Sequence, residues 1–407
     1  MENNIKNLER YVELSEKANG SNIVTEEVIG VEHRHNNPKR DFLFVNKWQG
    51  KHIPCYPTEF FYMCNELAKI IASSNQIKGS KNIVTIGFAE TATAIGYEVA
   101  KQLRSLGLNI KYSTQTTRES KEKIEELLGA EVQQVTFSEE HSHATEQKLL
   151  LSTEAIEKLQ QADYILFIED EISTGNTILN CCKQLRRFAP EAKFGVASVC
   201  NWQTEECLDK FYTTSSLGKT SSIERFYLID GKLKDKNMKM GFETDNKAKM
   251  LEIKLYEQST FAKDRIGFKE DELINNDKID MIVDKIAEEF KDNNKGRIEV
   301  IGTEEFMHLP IEVASRIYLK GIAIPLMHST TRSCIDVYKC NTEQNKEEIR
   351  ERVEIPSCYD KDRKTYLYNL DRDCNCVFIT DGEITEEIVR TIQGFYGNNN
   401  VIFITVR

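Results

Sequence analysis

Residues 165–178 read ILFIEDEISTGNTI, an apolar run closed by the acids Glu169, Asp170 and Glu171 and followed by Ser173-Thr174-Gly175-Asn176-Thr177. Carboxylates accept hydrogen bonds from hydroxyl groups. A glycine that lets the chain turn tightly brings successive backbone N–H groups together at a helix start, where they bind phosphate. One ligand that needs both is a phosphorylated sugar. Thr174, Asn176 and Thr177 add side-chain donors, and Glu169 and Asp170 stand one sugar-length away to accept from two ribose hydroxyls. The competing reading is the acidic strand of a nucleotide hydrolase, which requires GxxxxGK[ST] upstream. The sole GKT is Gly218-Lys219-Thr220, downstream, with Thr213 where the first glycine should stand.

Such groups need strands to carry them. Short β-rich runs alternate with amphipathic stretches, the pattern of an α/β protein whose ligands bind at the carboxyl ends of its strands. Strand candidates are 82–88, 109–115, 164–170 and 194–200, and after a gap 297–303, 321–330, 375–382 and 400–406. Residues 1–30 read as a helical extension, 116–150 as a long loop with some helix, and 236–250 as a charged linker. The expected domains are therefore 31–235 and 251–407.

The stretch ILFIEDEISTGNTI resembles the motif by which type I phosphoribosyltransferases bind 5-phosphoribosyl-1-diphosphate (PRPP), with Asn176 in place of a common second glycine and Glu171 in place of an apolar residue. That resemblance makes IGFAETAT (86–93) the diphosphate turn and implies Ala89, Glu90, Thr91 and Ala92. Arg118, after the next strand, stands where a guanidinium neutralises leaving diphosphate; a solvated arginine is the bland alternative. His141 and His143 fall in the segment that closes over such sites, and they also read as plain loop histidines or an HxH pair.

A closer likeness covers nearly the whole chain. EHRHNNPKRDFLFVNKWQGKHIPCYP, IGFAETATAIG and EEHSHAT resemble the orotate phosphoribosyltransferase-like family found with tellurium-resistance gene clusters. VIGTEEFMHLPIEVA with HSTTRSC resembles the TRSP domain that accompanies it; here the naming motif reads Thr331-Arg332-Ser333-Cys334, without its proline. The likeness implies a type I phosphoribosyltransferase fold, PRPP with Mg2+, a small nitrogenous acceptor and a nucleotide-like product. Arg34, Lys51 and His52 are candidates for the acceptor or the diphosphate, or form a basic surface strand. The alternatives to catalysis of transfer are a non-catalytic PRPP or nucleotide-binding regulator and a nucleotide N-glycoside hydrolase.

The two halves also match each other. Ile86-Gly87 falls over Ile301-Gly302, Ala89-Glu90 over Glu304-Glu305, Glu98-Val99-Ala100 over Glu312-Val313-Ala314, and Thr116-Thr117-Arg118 over Thr330-Thr331-Arg332. LFIEDEISTGNT falls over VFITDGEITEEI, with Asp170 on Asp381 and Glu169 on Thr380. This reads as two related α/β units with mainly parallel sheets, the second a diverged duplicate. Gly175 falls on Glu386 or Glu387, and an acid there repels phosphate, so the second unit is not expected to bind PRPP through this loop. Its Glu304, Glu305, Arg332 and Asp381 then serve another ligand or a scaffold.

The bounds agree. A net charge of −11 over 407 residues argues against a nucleic-acid surface, and no apolar run approaches the roughly 20 residues of a membrane span. The start is charged, with no apolar signal core, so a cytoplasmic enzyme is expected, with a homodimer allowed. The 11 cysteines include no CxxC and read as reduced thiols rather than a zinc site; no metal is expected to be held by protein ligands alone.

Overall fold

The computed structural model describes residues 8, 12–15, 23–33, 42–137, 147–213, 223–234, 255–258, 265, 267–269, 277–293, 295–335, 337, 349, 351–397 and 400–406. Along the chain, β1 (Val12–Leu14), β2 (Ile29–His33) and β3 (Phe42–Asn46) precede the helix Pro57–Ser73. Next come β4 (Ile83–Gly87), the helix Thr93–Ser105, β5 (Ile110–Thr117), the helix Lys121–Leu128, β6 (Gln133–Thr136) and β7 (Lys148–Leu151). The helix Thr153–Gln160 leads to β8 (Tyr164–Ile172), the helix Asn176–Leu185, β9 (Lys193–Asn201), the helix Glu205–Thr213 and β10 (Glu224–Leu233). Short strands β11 (Leu255–Gln258) and β12 (Phe268–Lys269) precede the helix Asp277–Glu289 and β13 (Arg297–Thr303). The helix His308–Leu319 then leads to β14 (Ile324–Thr330), β15 (Arg352–Pro356), β16 (Lys364–Tyr368), β17 (Asn375–Thr380), the helix Glu386–Tyr396 and β18 (Val401–Val406).

The first sheet runs β1-β10-β9-β8-β4-β5-β7-β6, with β12 also on β5, and its central strands β10, β9, β8, β4 and β5 are parallel. The second runs β11-β18-β17-β13-β14, all parallel. The architecture is thus α/β with mainly parallel sheets. Parallel strands are covered on both faces, which is why β4 (IVTIG) is buried at every position. The helix Pro57–Ser73 starts with proline at its first position, and the Glu59 carboxylate accepts the Tyr56 N–H at 3.0 Å. Its Phe60, Met63, Cys64, Leu67 and Ile71 form one apolar stripe that is buried in the core.

That core is continuous across both units. One apolar cluster contains Phe60, Ile95, Val99 and Leu103 of the first and Leu309, Val313, Ile317, Met327 and Ile379 of the second. β12, from the C-terminal side, pairs antiparallel with β5 (Phe268 opposite Ser113).

Two readings of the sequence differ from the fold. Among the described residues of the expected helical extension, Leu8 and Thr25–Val28 are helical, but Val12–Leu14 is an edge strand antiparallel to β10 and Ile29 and Gly30 open β2. Val12 is buried and Glu13 exposed, so the period of two wins there. Within 116–150 the chain forms the antiparallel pair β6–β7, because Val135, Leu149 and Leu151 extend the apolar cluster under the sheet. Residues 235–254, which include the expected linker, lie outside the described residues.

Candidate active site

β4 and β8 are neighbours at the centre of the first sheet and run parallel, so their carboxyl ends open side by side. The turn 88–92 leaves β4 beside the acids that end β8, and the Phe88 N–H donates to the Ile168 carbonyl at 3.0 Å. The helix Thr93–Ser105 can begin this close because Gly96 lies against Gly87, where a Cβ on Gly96 would stand 2.8 Å from the Gly87 Cα.

After β8 the chain turns at Gly175, in the left-handed region at φ +76°, directly before the helix Asn176–Leu185. A side chain there would meet the Phe211 ring at 2.4 Å. Gln203 donates to the Thr174 carbonyl at 3.3 Å, and the Asn176 N–H donates to Thr174 Oγ1 at 3.4 Å. The first N–H groups of a helix lack intrahelical acceptors, so the turn presents donors to an anion. Ser173, Thr174, Gly175, Asn176 and Thr177 all lie at least partly exposed around it.

Glu169 and Asp170 stand partly exposed near the carboxyl end of β8, just before the turn at Gly175, and the Asp170 N–H donates to Glu169 Oε1 at 3.2 Å. Desolvation of its carboxyl and then repulsion from Asp170 push Glu169 well above the usual carboxylate range. Neither acid makes an ion pair among the described residues. The pair therefore suits hydroxyl donors carried in with a cation.

The turn after β4 is fixed from several sides. The Ala89 N–H donates to Thr116 Oγ1 at 2.8 Å, Gln147 donates to the Ala89 carbonyl at 2.9 Å, and Gln49 donates to the Thr91 carbonyl. The Glu90 carboxylate is buried and lies 3.1 Å from the Lys51 ammonium; it also accepts the backbone N–H of Arg332 at 3.1 Å. Burial alone would raise Glu90, yet Lys51, Arg118 and Arg332 together hold it down to about 2. Arg118 touches Glu90 only at 3.8 Å; its side chain is 30% exposed, and its Nε has no hydrogen-bond partner among the described residues. It is the loosely held cation of the site.

Lys51 lies beneath the turn, fully buried, and its ammonium donates to the Glu304 carbonyl and, at 3.2 Å, to the Thr330 carbonyl. Burial lowers its pKa, against Glu90. Its donors are spent inside the protein, so it reaches a ligand only through Glu90. His52 is buried beside it. Arg34, His141 and His143 lie outside the described residues.

The second-unit residues also converge, but on one another. Arg332 donates through Nε to Glu304 at 2.6 Å and through Nη2 to Glu119, which Arg363 grips with two bonds of 2.9 and 3.0 Å. Burial opposes the Arg332 charge, while Glu305, Glu304, Glu90 and Glu119 raise its pKa further. Burial raises Glu304 despite Arg332 and Arg363. Glu305 accepts the Arg118 N–H at 2.8 Å and the Thr117 hydroxyl. Asp381 is bound by Arg265 and by the Tyr359 hydroxyl at 2.6 Å, with the Arg265 guanidinium 4.4 Å from the Tyr359 ring.

Sequence reasoning missed Gln49, Glu119, Gln147, Gln203, Arg265, Tyr359 and Arg363. Gln49 lies within the stretch 32–57 that carries the family likeness, but only its basic residues stand out there; Glu119, Gln147 and Gln203 sit in polar stretches with no chemistry of their own to mark them, and Arg265 and Tyr359 lie in segments where the repeat has no counterpart. Among the described residues no group of three or more His, Cys, Asp and Glu is arranged to hold a metal ion. No described helix is long and apolar enough to cross a membrane.

A family model described as phosphoribosyl transferase matches residues 28–232, and one described as a TRSP domain C-terminal to that transferase matches residues 263–395. Adenine phosphoribosyl transferase from Trypanosoma brucei, solved with AMP, pyrophosphate and ribose-5-phosphate, is similar at 15% identity and TM-score 0.34, over 50% of this chain and 76% of that one. Adenine phosphoribosyltransferase from Rhodothermus marinus is similar at 13% identity and TM-score 0.33, over 50% of this chain and 94% of that one. A hypoxanthine phosphoribosyltransferase from Staphylococcus aureus is similar at 12% identity and TM-score 0.24, over 42% of this chain and 73% of that one. No curated protein sequence matches the chain.

Proposed function

The chain belongs to the phosphoribosyl transferase family, with a TRSP domain after the transferase, and on that premise we propose that it transfers 5-phosphoribosyl from PRPP to a small nitrogenous acceptor with release of diphosphate. The product is a nucleotide-like metabolite. The observation that carries this reading is the pairing of an ion-pair-free Glu169–Asp170 rim with a left-handed Gly175 at a helix start, beside the turn 88–92 on the neighbouring strand.

In this reading the 5′-phosphate lies on the N–H groups after Gly175, and the ribose hydroxyls donate to Glu169 and Asp170. The diphosphate meets the turn 88–92, where Arg118 faces the charge that grows as the glycosidic bond breaks. A group loosely held in the free protein suits that task, because it does not have to surrender a tight partner. The acceptor nitrogen attacks the ribose from the face opposite the leaving group, and no covalent nucleophile of the chain is required.

The crowded Glu169–Asp170 pair fits a substrate that arrives with Mg2+, since a nearby cation relieves the repulsion that raises Glu169. When bound with PRPP, the ion neutralises diphosphate charge. The test is incubation of the full chain with PRPP, Mg2+ and a panel of nitrogenous bases, reading diphosphate release. Acceptor-dependent release is expected. Acceptor-independent release would indicate hydrolysis, and absence of PRPP binding by calorimetry would overturn the reading.

A further inference from the structure

The contacts between the two units are exchanged in pairs. Glu90 of the first accepts the backbone N–H of Arg332 of the second, at 3.1 Å. Glu305 of the second accepts the backbone N–H of Arg118 of the first, at 2.8 Å. The repeat puts Glu90 over Glu305 and Arg118 over Arg332, so one contact is the mirror of the other in sequence terms. The turns that carry these acids are built alike: the Ala89 N–H donates to Thr116 Oγ1 at 2.8 Å, and the Glu304 N–H to Thr330 Oγ1 at 3.0 Å. Lys101 lies between Glu98 and Glu312, another matched pair. Four strands of each sheet share a spatial order as well, β9-β8-β4-β5 against β18-β17-β13-β14, while the fifth comes last in the first unit (β10) and first in the second (β11). Reciprocal contact of i with j and j with i is the signature of two-fold packing.

The halves differ in what their arginines do. Arg118 is 30% exposed and reaches a single carboxylate at 3.8 Å, whereas Arg332 is 14% exposed and holds Glu304 at 2.6 Å together with Glu119. In the second unit the place matching Asp170 is closed by Arg265 and Tyr359 on Asp381. One half keeps partly exposed acids without ion pairs among the described residues and a loose cation; the other has turned its equivalents into fastenings.

We propose that the C-terminal unit is the fused second half of a pseudo-two-fold pair, and that Arg332 is a positioning residue for the diphosphate turn of the first half. Its side chain anchors the segment 331–332 on Glu304 and Glu119, and the Arg332 N–H and Lys51 then engage Glu90. With Glu90 satisfied from below, Arg118 is not drawn into a tight pair and stays available to the ligand. This rests on the phosphoribosyl-transfer reading for the identity of the ligand, but not for the fixing of the turn.

The test uses the full chain with Arg332→Met and Arg332→Lys, and two readouts: hydrogen–deuterium exchange of the peptide spanning residues 84–95 without ligand, and calorimetric affinity for PRPP with Mg2+. Arg332→Met should speed exchange in that peptide and weaken PRPP about tenfold, with kcat for any accepted base changed less. Arg332→Lys keeps a cation without the fork and should fall between, which keeps the test open if Arg332→Met does not fold. Exchange at the parent rate in both variants overturns the proposal, as does a lower Tm with unchanged PRPP affinity in a chain whose parent binds PRPP. A parent that does not bind PRPP sinks the transfer reading, and exchange alone then decides the role of Arg332.

Discussion

The Glu90 carboxylate accepts the backbone N–H of Arg332 at 3.1 Å, so the turn after β4, which the proposed function assigns to the diphosphate, is fastened from the opposite half of the chain. Lys51 completes the fastening 3.1 Å away, with both charges buried. Removing one member of such a pair leaves the other unpaired in a dry site, and this makes Glu90 a test of the seam.

Glu90→Gln should cost about 3–5 kcal/mol, measured by urea unfolding at pH 7. Adding Lys51→Met should recover part of the loss, since the stranded ammonium goes with it. The pH dependence has a definite sign. Glu90 is held down to about 2 in the fold against an ordinary 4.5, so its contribution is present above about 4.5 and is lost as pH falls towards 2. The gap between parent and Glu90→Gln should narrow across that window; a gap independent of pH would detach the stability from the carboxylate.

Gly175→Ala should remove PRPP binding with the secondary structure intact. The residue sits at φ +76°, and an added Cβ would meet the Phe211 ring, so the turn must open to accept it. The expected circular dichroism is that of the parent, with no calorimetric signal for PRPP. Parental affinity would place the phosphate elsewhere.

Glu169→Gln with Asp170→Asn should lower turnover by about a hundredfold or more, because the ribose hydroxyls lose charged acceptors as the ring takes on positive charge. Stability at pH 7 should rise rather than fall, since the double variant removes a partly buried, mutually repelling acid pair that no cation of the chain pairs with among the described residues. Near-parental diphosphate release in the double variant would make the acids bystanders.

Glu98 titrates in the opposite sense to Glu90. Burial raises it to about 7, Lys101 works against this, and Glu312 adds to it. A raised carboxyl favours the fold most below about 4.5 and loses that contribution as pH climbs through about 7. Glu98→Gln keeps an acceptor for Gln102 without the charge. Its Tm should exceed the parent's at pH 8 and converge with it near pH 5, and thermal scans at the two values check this.

The strand–turn–helix corner at Gly175 was legible in the sequence because strand, acids, glycine and helix start are contiguous, and each residue type has a local reason to stand there. The turn after β4 was picked out only through the family resemblance, because a small-residue strand–helix corner is common and carries little signal of its own. Glu90's partners were not, since Arg332 lies 242 residues away and nothing local marks either residue as buried. Lys51 read as a group for the acceptor or the diphosphate, or as part of a basic surface strand; neither reading placed it in the seam, where Glu304 and Thr330 of the second unit take its hydrogen bonds. The Thr-Thr-Arg repeat announced that Arg118 and Arg332 are matched, but only the fold shows that each donates its N–H to the other half. Arg265 gave no signal, because a lone arginine in a polar segment has no periodicity to betray burial.

The last prediction is that the full chain binds one PRPP rather than two. Four strands of the second unit repeat the order of β9-β8-β4-β5, so a second site at their carboxyl ends is the natural expectation, and three local features oppose it. Asp381, matched to Asp170, is held by Arg265 and by the Tyr359 hydroxyl, and a Cβ on Gly382 would stand 2.5 Å from the Cys358 carbonyl, so the end of β17 is covered. Thr380 replaces the first acid. The helix Glu386–Tyr396 is capped by its own Thr385, whose hydroxyl accepts the Ile388 N–H at 3.4 Å, and Glu386 and Glu387 fill its first turn. A capped helix start bearing two carboxylates repels the phosphate that an open start at Gly175 attracts. Calorimetry with PRPP and Mg2+ should therefore give a stoichiometry near one, and Gly175→Ala should abolish the whole signal rather than half of it. A stoichiometry of two, or a half-sized signal surviving in that variant, would show that the second crevice opens to ligand after all.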